Sequence, residues 1–145
     1  MKASLLSGIV LLLSACGVQP SGVIAGGPAP LGSIEGTVLY LVSNQTLTTV
    51  LRPRDHELSP AETLTLLVAG PTAEEQAAHI DSDIPVGIGA LTVTGDTVML
   101  PVDVTSLSTM AVEQFVCTLA TISDPGTEIT LTGQGQTLTP RRCPI

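Results

Sequence analysis

Ser59-Pro60-Ala61-Glu62-Thr63-Leu64-Thr65-Leu66-Leu67-Val68-Ala69-Gly70-Pro71 is a helix with both of its ends written into the sequence. Ser59 stands at the N-cap, Pro60 at the first helical position and Glu62 three residues after the cap. That arrangement satisfies backbone N–H groups which have no partner inside the helix. Ala61, Leu64, Leu67 and Val68 share one face, and Gly70-Pro71 stops the turn. Thr72-Ala73-Glu74-Glu75 repeats the capping pattern at once and predicts a shorter helix ending near His79. Its paired glutamates complement the positive end of the helix dipole. A second long helix is predicted within Ser106 to Ile122, where Val112, Phe115, Val116 and Leu119 follow i, i+3, i+4, i+7.

Outward from these helices the period drops to two. Thr37-Val-Leu-Tyr-Leu-Val42 is an unbroken β-rich run, consistent with a strand buried on both faces. Asn44-Gln45 turns it into a second strand, Thr46 to Leu51, and the charged stretch Arg52 to Glu57 reads as a loop. Leu91 and Val93 alternate with Thr92 and Thr94, and Gly95-Asp96 has glycine where a type II′ turn needs it. Val98, Leu100, Val102 and Val104 share a face on the return strand. Pro101 donates no ladder bond, which assigns that strand to an edge or a bulge. Thr127 to Thr132 and Gln136 to Thr139, joined through Gly133-Gln134-Gly135, make a last hairpin. The order ββαββαββ predicts an α+β fold, a mixed sheet with two long helices packed on one face.

The first residues address compartment. Met1-Lys2 gives a short positive start, and Leu5 to Leu13 is a nearly continuous apolar run, too short to span a bilayer, which takes roughly 20 residues. Leu13-Ser14-Ala15-Cys16 resembles a lipobox. Residues 1–15 are therefore expected to be a lipoprotein signal peptide, and Cys16 the lipid-carrying first residue of the mature chain. Each buried CH₂ contributes about 0.8 kcal/mol, so two acyl chains hold stably where one does not. Residues 16–36 read as the lipidated cysteine and a Gly/Pro-rich tether, with an r.m.s. span of roughly 25 Å. Residues 37–145 are expected to form the folded domain. The expected location is the extracytoplasmic face of a cell membrane, of the Gram-positive type.

Composition narrows the partners. Beyond Cys16 the chain holds four arginines and thirteen carboxylates, a net charge of −9. An acidic chain without a basic cluster argues against nucleic acid and against electrostatic docking on anionic lipid. Tyr40 and Phe115 are the only aromatics in the sequence, so stacking platforms for bases or sugars are not expected. With Cys16 consumed by lipid, Cys117 and Cys143 remain as an even pair outside the cytoplasm, where disulfides persist. Two free thiols or a reactive Cys117 are the alternatives, but no cationic neighbour in sequence lowers the Cys117 pKa.

Motifs for chemistry are sparse. Asp55-His56 lacks a nucleophile-elbow partner and reads as a solvated loop. His79, Asp81 and Asp83 offer alternate ligands for a divalent ion, yet no third dependable ligand for zinc is visible, and the loop is not of the EF-hand type for calcium. Gly133-x-Gly135 precedes no helix, so it reads as a hairpin turn and not a phosphate cradle. No cofactor, metal or catalytic residue is expected.

With these elements in order, the sequence resembles the GerMN, or sporulation and spore germination, domain. The residues that carry the resemblance are Leu67-Val-Ala-Gly-Pro-Thr72, Glu75 and Ile84-Pro-Val-Gly87, then Leu91-Thr-Val-Thr-Gly-Asp-Thr-Val98, Val102-Asp103 and Gln114-Phe-Val-Cys-Thr-Leu119. They cover roughly Gly36 to Thr139 and are caps, turns and core positions. The resemblance implies an envelope-associated, non-catalytic domain acting through contacts with another envelope protein. The alternative is a lipoprotein that binds a small ligand or metal ion, or an enzyme whose site is not recognisable in sequence.

Overall fold

The computed structural model describes residues 35–145. The expected signal peptide, Cys16 and nearly all of the tether lie outside the described residues. The elements run β1 (Gly36–Ser43), β2 (Thr46–Pro53), α1 (Pro60–Val68), α2 (Ala73–Ala77), β3 (Thr92–Thr94), β4 (Thr97–Leu100), a 3-10 turn (Val104–Ser106), α3 (Thr109–Ala120), β5 (Thr130–Gly133) and β6 (Gln136–Thr137). The fold is α+β, in the order read from the sequence, with α2 at the short helix read after Thr72 and the 3-10 turn added.

The strands divide into two sheets. β1 and β2 form a two-stranded antiparallel hairpin, and β3-β4-β5-β6 form a four-stranded sheet. The second sheet is mixed: β4 pairs β5 in parallel, while β3–β4 and β5–β6 are antiparallel. The two-residue turns are tight. Asn44 and Gln45 both take positive φ (50° and 62°), as a type I′ turn requires, and Gly95 takes φ 54°.

One core unites the two sheets. Leu39 and Leu41 from β1 and Leu64 and Leu67 from α1 are fully buried, as is Phe115 from α3. Val98, Leu100 and Leu131 from the four-stranded sheet, and Ile129 just before β5, join the same cluster. Both capping boxes form: Ser59 with Glu62, and Thr72 with Glu75. The Ser59 hydroxyl bonds the Glu62 carboxylate at 2.6 Å and holds its pKa below the ordinary value.

Three local expectations change. β1 is not buried on both faces: Thr37, Leu39 and Leu41 are buried, but Val38, Tyr40 and Val42 are only half-buried. Arg52 and Pro53 extend β2 instead of starting a loop, because Arg52 has a partner described below. β4 is an inner strand whose ladder stops at Leu100. Pro101 therefore marks the exit of the strand, where no ladder bond is needed, and not an edge position.

Cys117 and Cys143 form a disulfide with a Cα–Cα separation of 4.7 Å. It closes a span of 26 residues, worth about 3.5 kcal/mol in the chain-entropy account. The tail reaches it along β5, through an antiparallel bridge between Ile129 and Arg141.

Candidate functional site

α3 is buried over more of its circumference than the apolar period predicts. Val112, Phe115, Val116 and Leu119 face the core as read, but Gln114, Cys117 and Thr118 are buried as well. The polar pair explains why. Gln114 and Thr118 lie one turn apart and together complete the edge of β1. Thr118 Oγ1 accepts from Tyr40 N at 3.0 Å, and Gln114 Nε2 donates to Tyr40 O at 3.0 Å. A buried strand edge needs partners for its backbone groups, and two helix side chains supply them here. The same Gln114 accepts from Asp83 N through Oε1 at 2.8 Å. Further along the edge, Val42 exchanges two backbone bonds with Asp81, at 2.9 and 2.7 Å. Gln114 thus ties together β1, α3 and the 81–84 loop. Sequence reasoning assigned it no role, since its i, i+4 spacing to Thr118 looks like any other polar pair.

A second polar assembly joins β2 to the helices. Arg52 donates to Glu75 Oε1 at 3.0 Å and Oε2 at 2.6 Å, and to Gly70 O at 2.9 Å. Both side chains are only 12% exposed. Arg52 therefore caps the end of α1 while its partner Glu75 caps the start of α2. The planar guanidinium suits this two-pronged role, which lysine does not fill. The Arg52 hydrogen bonds are the main cause that lowers the Glu75 pKa from its usual 4.5. A lowered carboxylate pKa contributes stability that is complete above 4.5 and is lost as pH falls through the folded-state value. Glu75→Gln should cost about 3 kcal/mol at neutral pH, because Arg52 is left nearly buried without its counter-charge. Denaturant titrations of both proteins across acid pH should show the gap closing as pH drops below 4.5. A pH-independent gap would assign the loss to packing.

The histidines stay apart from these assemblies. His56 Nδ1 lies 2.8 Å from Asp55 Oδ1, but the two side chains are 65% and 93% exposed. Their contact lowers the Asp55 pKa, first through the hydrogen bond to His56. This is the solvated loop that the sequence suggested.

His79 ends α2 with φ 59° and, with Asn44, Gln45, Asp81 and Asp83, lines an open cleft of about 680 Å³. Within it Asp81 Oδ1 accepts from Ser82 N, and the Asp83 carboxylate accepts from Ser108 Oγ. Among the described residues no group of three or more His, Cys, Asp or Glu is placed to hold a metal ion. A second cleft, of about 500 Å³, lies between the start of β1, the 56–58 loop and the end of α3. Thr63 lines it, and its buried hydroxyl has no partner among the described residues. No described helix is long and apolar enough to cross a membrane.

Fold and clefts together define an α+β domain whose buried polar side chains organise backbone. In structure the chain is similar to the tandem GerMN domains of the sporulation protein GerM from Bacillus subtilis. The TM-score is 0.45 at 15% identity, covering 76% of this chain and 42% of that one. This chain thus spans less than half the length of that neighbour. No protein-family model and no curated protein matches the chain.

Proposed function

We propose that this protein is a lipid-anchored extracytoplasmic lipoprotein whose α+β domain acts in the cell envelope by binding another envelope protein, without catalysis. What carries the reading is how the buried polar side chains are used. Gln114, Thr118, Arg52 and Glu75 are engaged with backbone or with each other, and so serve rigidity. A docking module benefits from such rigidity, because a preorganised surface loses little entropy on binding. The Cys117–Cys143 disulfide supports the compartment, since such bridges persist outside the cytoplasm. Cys16 would supply the anchor on that same side.

The anchor is tested by Cys16→Ser. Detergent partitioning of intact cells should find the wild-type chain with the membrane and the variant in the soluble fraction. A variant retained in the membrane fraction would remove the lipoprotein reading. The binding role is tested separately by a loss-of-function scan. Substitutions at Asp55, His56, His79 and Asp83 should be near neutral, and charge reversals across one exposed face should abolish function with the fold intact. Losses centred on one cleft would instead reveal a ligand or catalytic site.

A further inference from the structure

The β1–β2 hairpin has a second face and a second edge that the core does not use. Tyr40 and Val42 turn their backbone groups away from β2, toward Gln114, Thr118 and Asp81. By the alternation of an antiparallel ladder, even-numbered β2 residues bond to β1, and Leu47, Thr49 and Leu51 turn their N–H and C=O groups outward. Among the described residues no hydrogen bond reaches those outward groups. The side chains of the same residues lie opposite Val42, Tyr40 and Val38 on the hairpin's outer face. Leu51 is 47% exposed, and none of the six belongs to the core cluster. An eight-residue edge strand with apolar side chains is a pairing template unless charge, proline or a bulge blocks it. In β2 the only blocking residues are Arg52, committed to Glu75, and the terminal Pro53.

We propose that β2 pairs antiparallel with β2 of a second copy of this chain, about a two-fold axis through Thr49, to make one four-stranded sheet. Two observations select a second copy as occupant. The first is self-complementarity. In Leu47-Thr48-Thr49-Val50-Leu51 the two leucines are symmetric about Thr49. The two-fold therefore sets Leu47 against Leu51 of the second copy, Thr49 against its own mate, and Leu51 against Leu47. All three are positions with outward backbone groups, so each pair exchanges two hydrogen bonds. Side-chain rows become continuous across four strands: Val38, Leu51, then Leu47 and Val42 of the second copy, with the mirror row beside it. An isologous contact needs this match of a patch with itself.

The second observation is charge. The sequence carries thirteen carboxylates against five cations, yet Gly36 to Arg54 holds no carboxylate and two arginines. Two acidic molecules meet with least repulsion where neither presents acid. The register also keeps the cations apart, since Arg52 falls opposite Thr46 and Arg54 opposite Asn44 of the second copy.

Cysteine cross-linking of the full chain in intact cells tests this pairing. Thr49→Cys puts the new thiols face to face across the axis, within the Cα range a disulfide accepts. Thr46→Cys, also at an exposed position, is the control, because the register separates residue 46 from its own mate. The expected result is a reducible band at twice the mass of the monomer band from the Thr49→Cys variant and little from Thr46→Cys. Adding Leu51→Lys, which replaces an apolar member of the paired rows with a charge, should weaken the band. The Cys117–Cys143 bridge reports that each variant is folded. Equal coupling at both positions, an unaffected band in the lysine variant, a thiol at position 49 that stays free, or its coupling to a different protein would each overturn the proposal.

Discussion

Gly133→Ala is expected to be the most damaging conservative substitution in the domain, costing more than about 3 kcal/mol, beyond the usual range for overpacking. A Cβ at position 133 would stand 2.1 Å from Val102 O and 2.6 Å from Leu100 O. Both are backbone atoms, so neither can swing aside. The obstacle is close approach and not backbone angle, since φ at Gly133 lies outside the left-handed region. Gly135, in the same hairpin, makes the comparison. It has open space around its Cα but φ 76°, so Gly135→Ala should cost only about 1 to 2 kcal/mol. Equilibrium unfolding in denaturant measures both. If Gly133→Ala does not accumulate, thiol labelling of Cys117 and Cys143 in the nascent product reports the unfolded chain. Equal costs at the two positions would mean that β5 can retreat from the Val102 carbonyl.

The second large effect is expected at Gln114. Leucine fills nearly the same volume, so Gln114→Leu keeps the packing and removes only the polar contacts. Tyr40 O and Asp83 N then lose the partners at 3.0 and 2.8 Å. An unsatisfied buried polar group costs about 1 to 3 kcal/mol, which puts the combined loss at roughly 3 kcal/mol. Thr118→Val removes the acceptor for Tyr40 N and should cost about 1 to 2 kcal/mol. The two changes act on one residue's backbone, so the double variant should lose less than the sum of the singles. Full additivity in a denaturation series would show that the two side chains support β1 independently.

These two positions also mark where sequence reading stops. Caps and turns are local chemistry and were legible: Ser59 with Glu62, Thr72 with Glu75, and the turns at Asn44-Gln45 and Gly95. The apolar stripe of α3 was legible too, because Val112, Phe115, Val116 and Leu119 obey a period. The cysteine pair followed from counting and compartment. What was hidden depends on separation along the chain. Gln114 meets Tyr40 across 74 residues, and Arg52 meets Glu75 across 23. Gln114 and Arg52 carry no local mark of these roles, since nothing in the neighbouring sequence says which distant carbonyl or carboxylate each will face. The division into two sheets was hidden for the same reason. Strand propensity reports that a segment extends, while its partner is selected by tertiary packing.

The parallel pairing of β4 with β5 bears on the order in which the chain becomes a domain. A tight turn closes β3 on β4 soon after both are made, but β5 begins 30 residues after β4 ends, with α3 between them. Parallel neighbours require such a crossover, and its closure entropy precedes any reward from the ladder. α3 must also find β1 across 78 residues before Thr118 can cover Tyr40. A chain that has emerged only as far as α3 therefore carries β4 with its inner edge still open, beside apolar Val98 and Leu100. Such an edge invites pairing with the wrong strand. The unfinished chain is stickier than the finished one, and the arrival of residues 130–133 ends that interval.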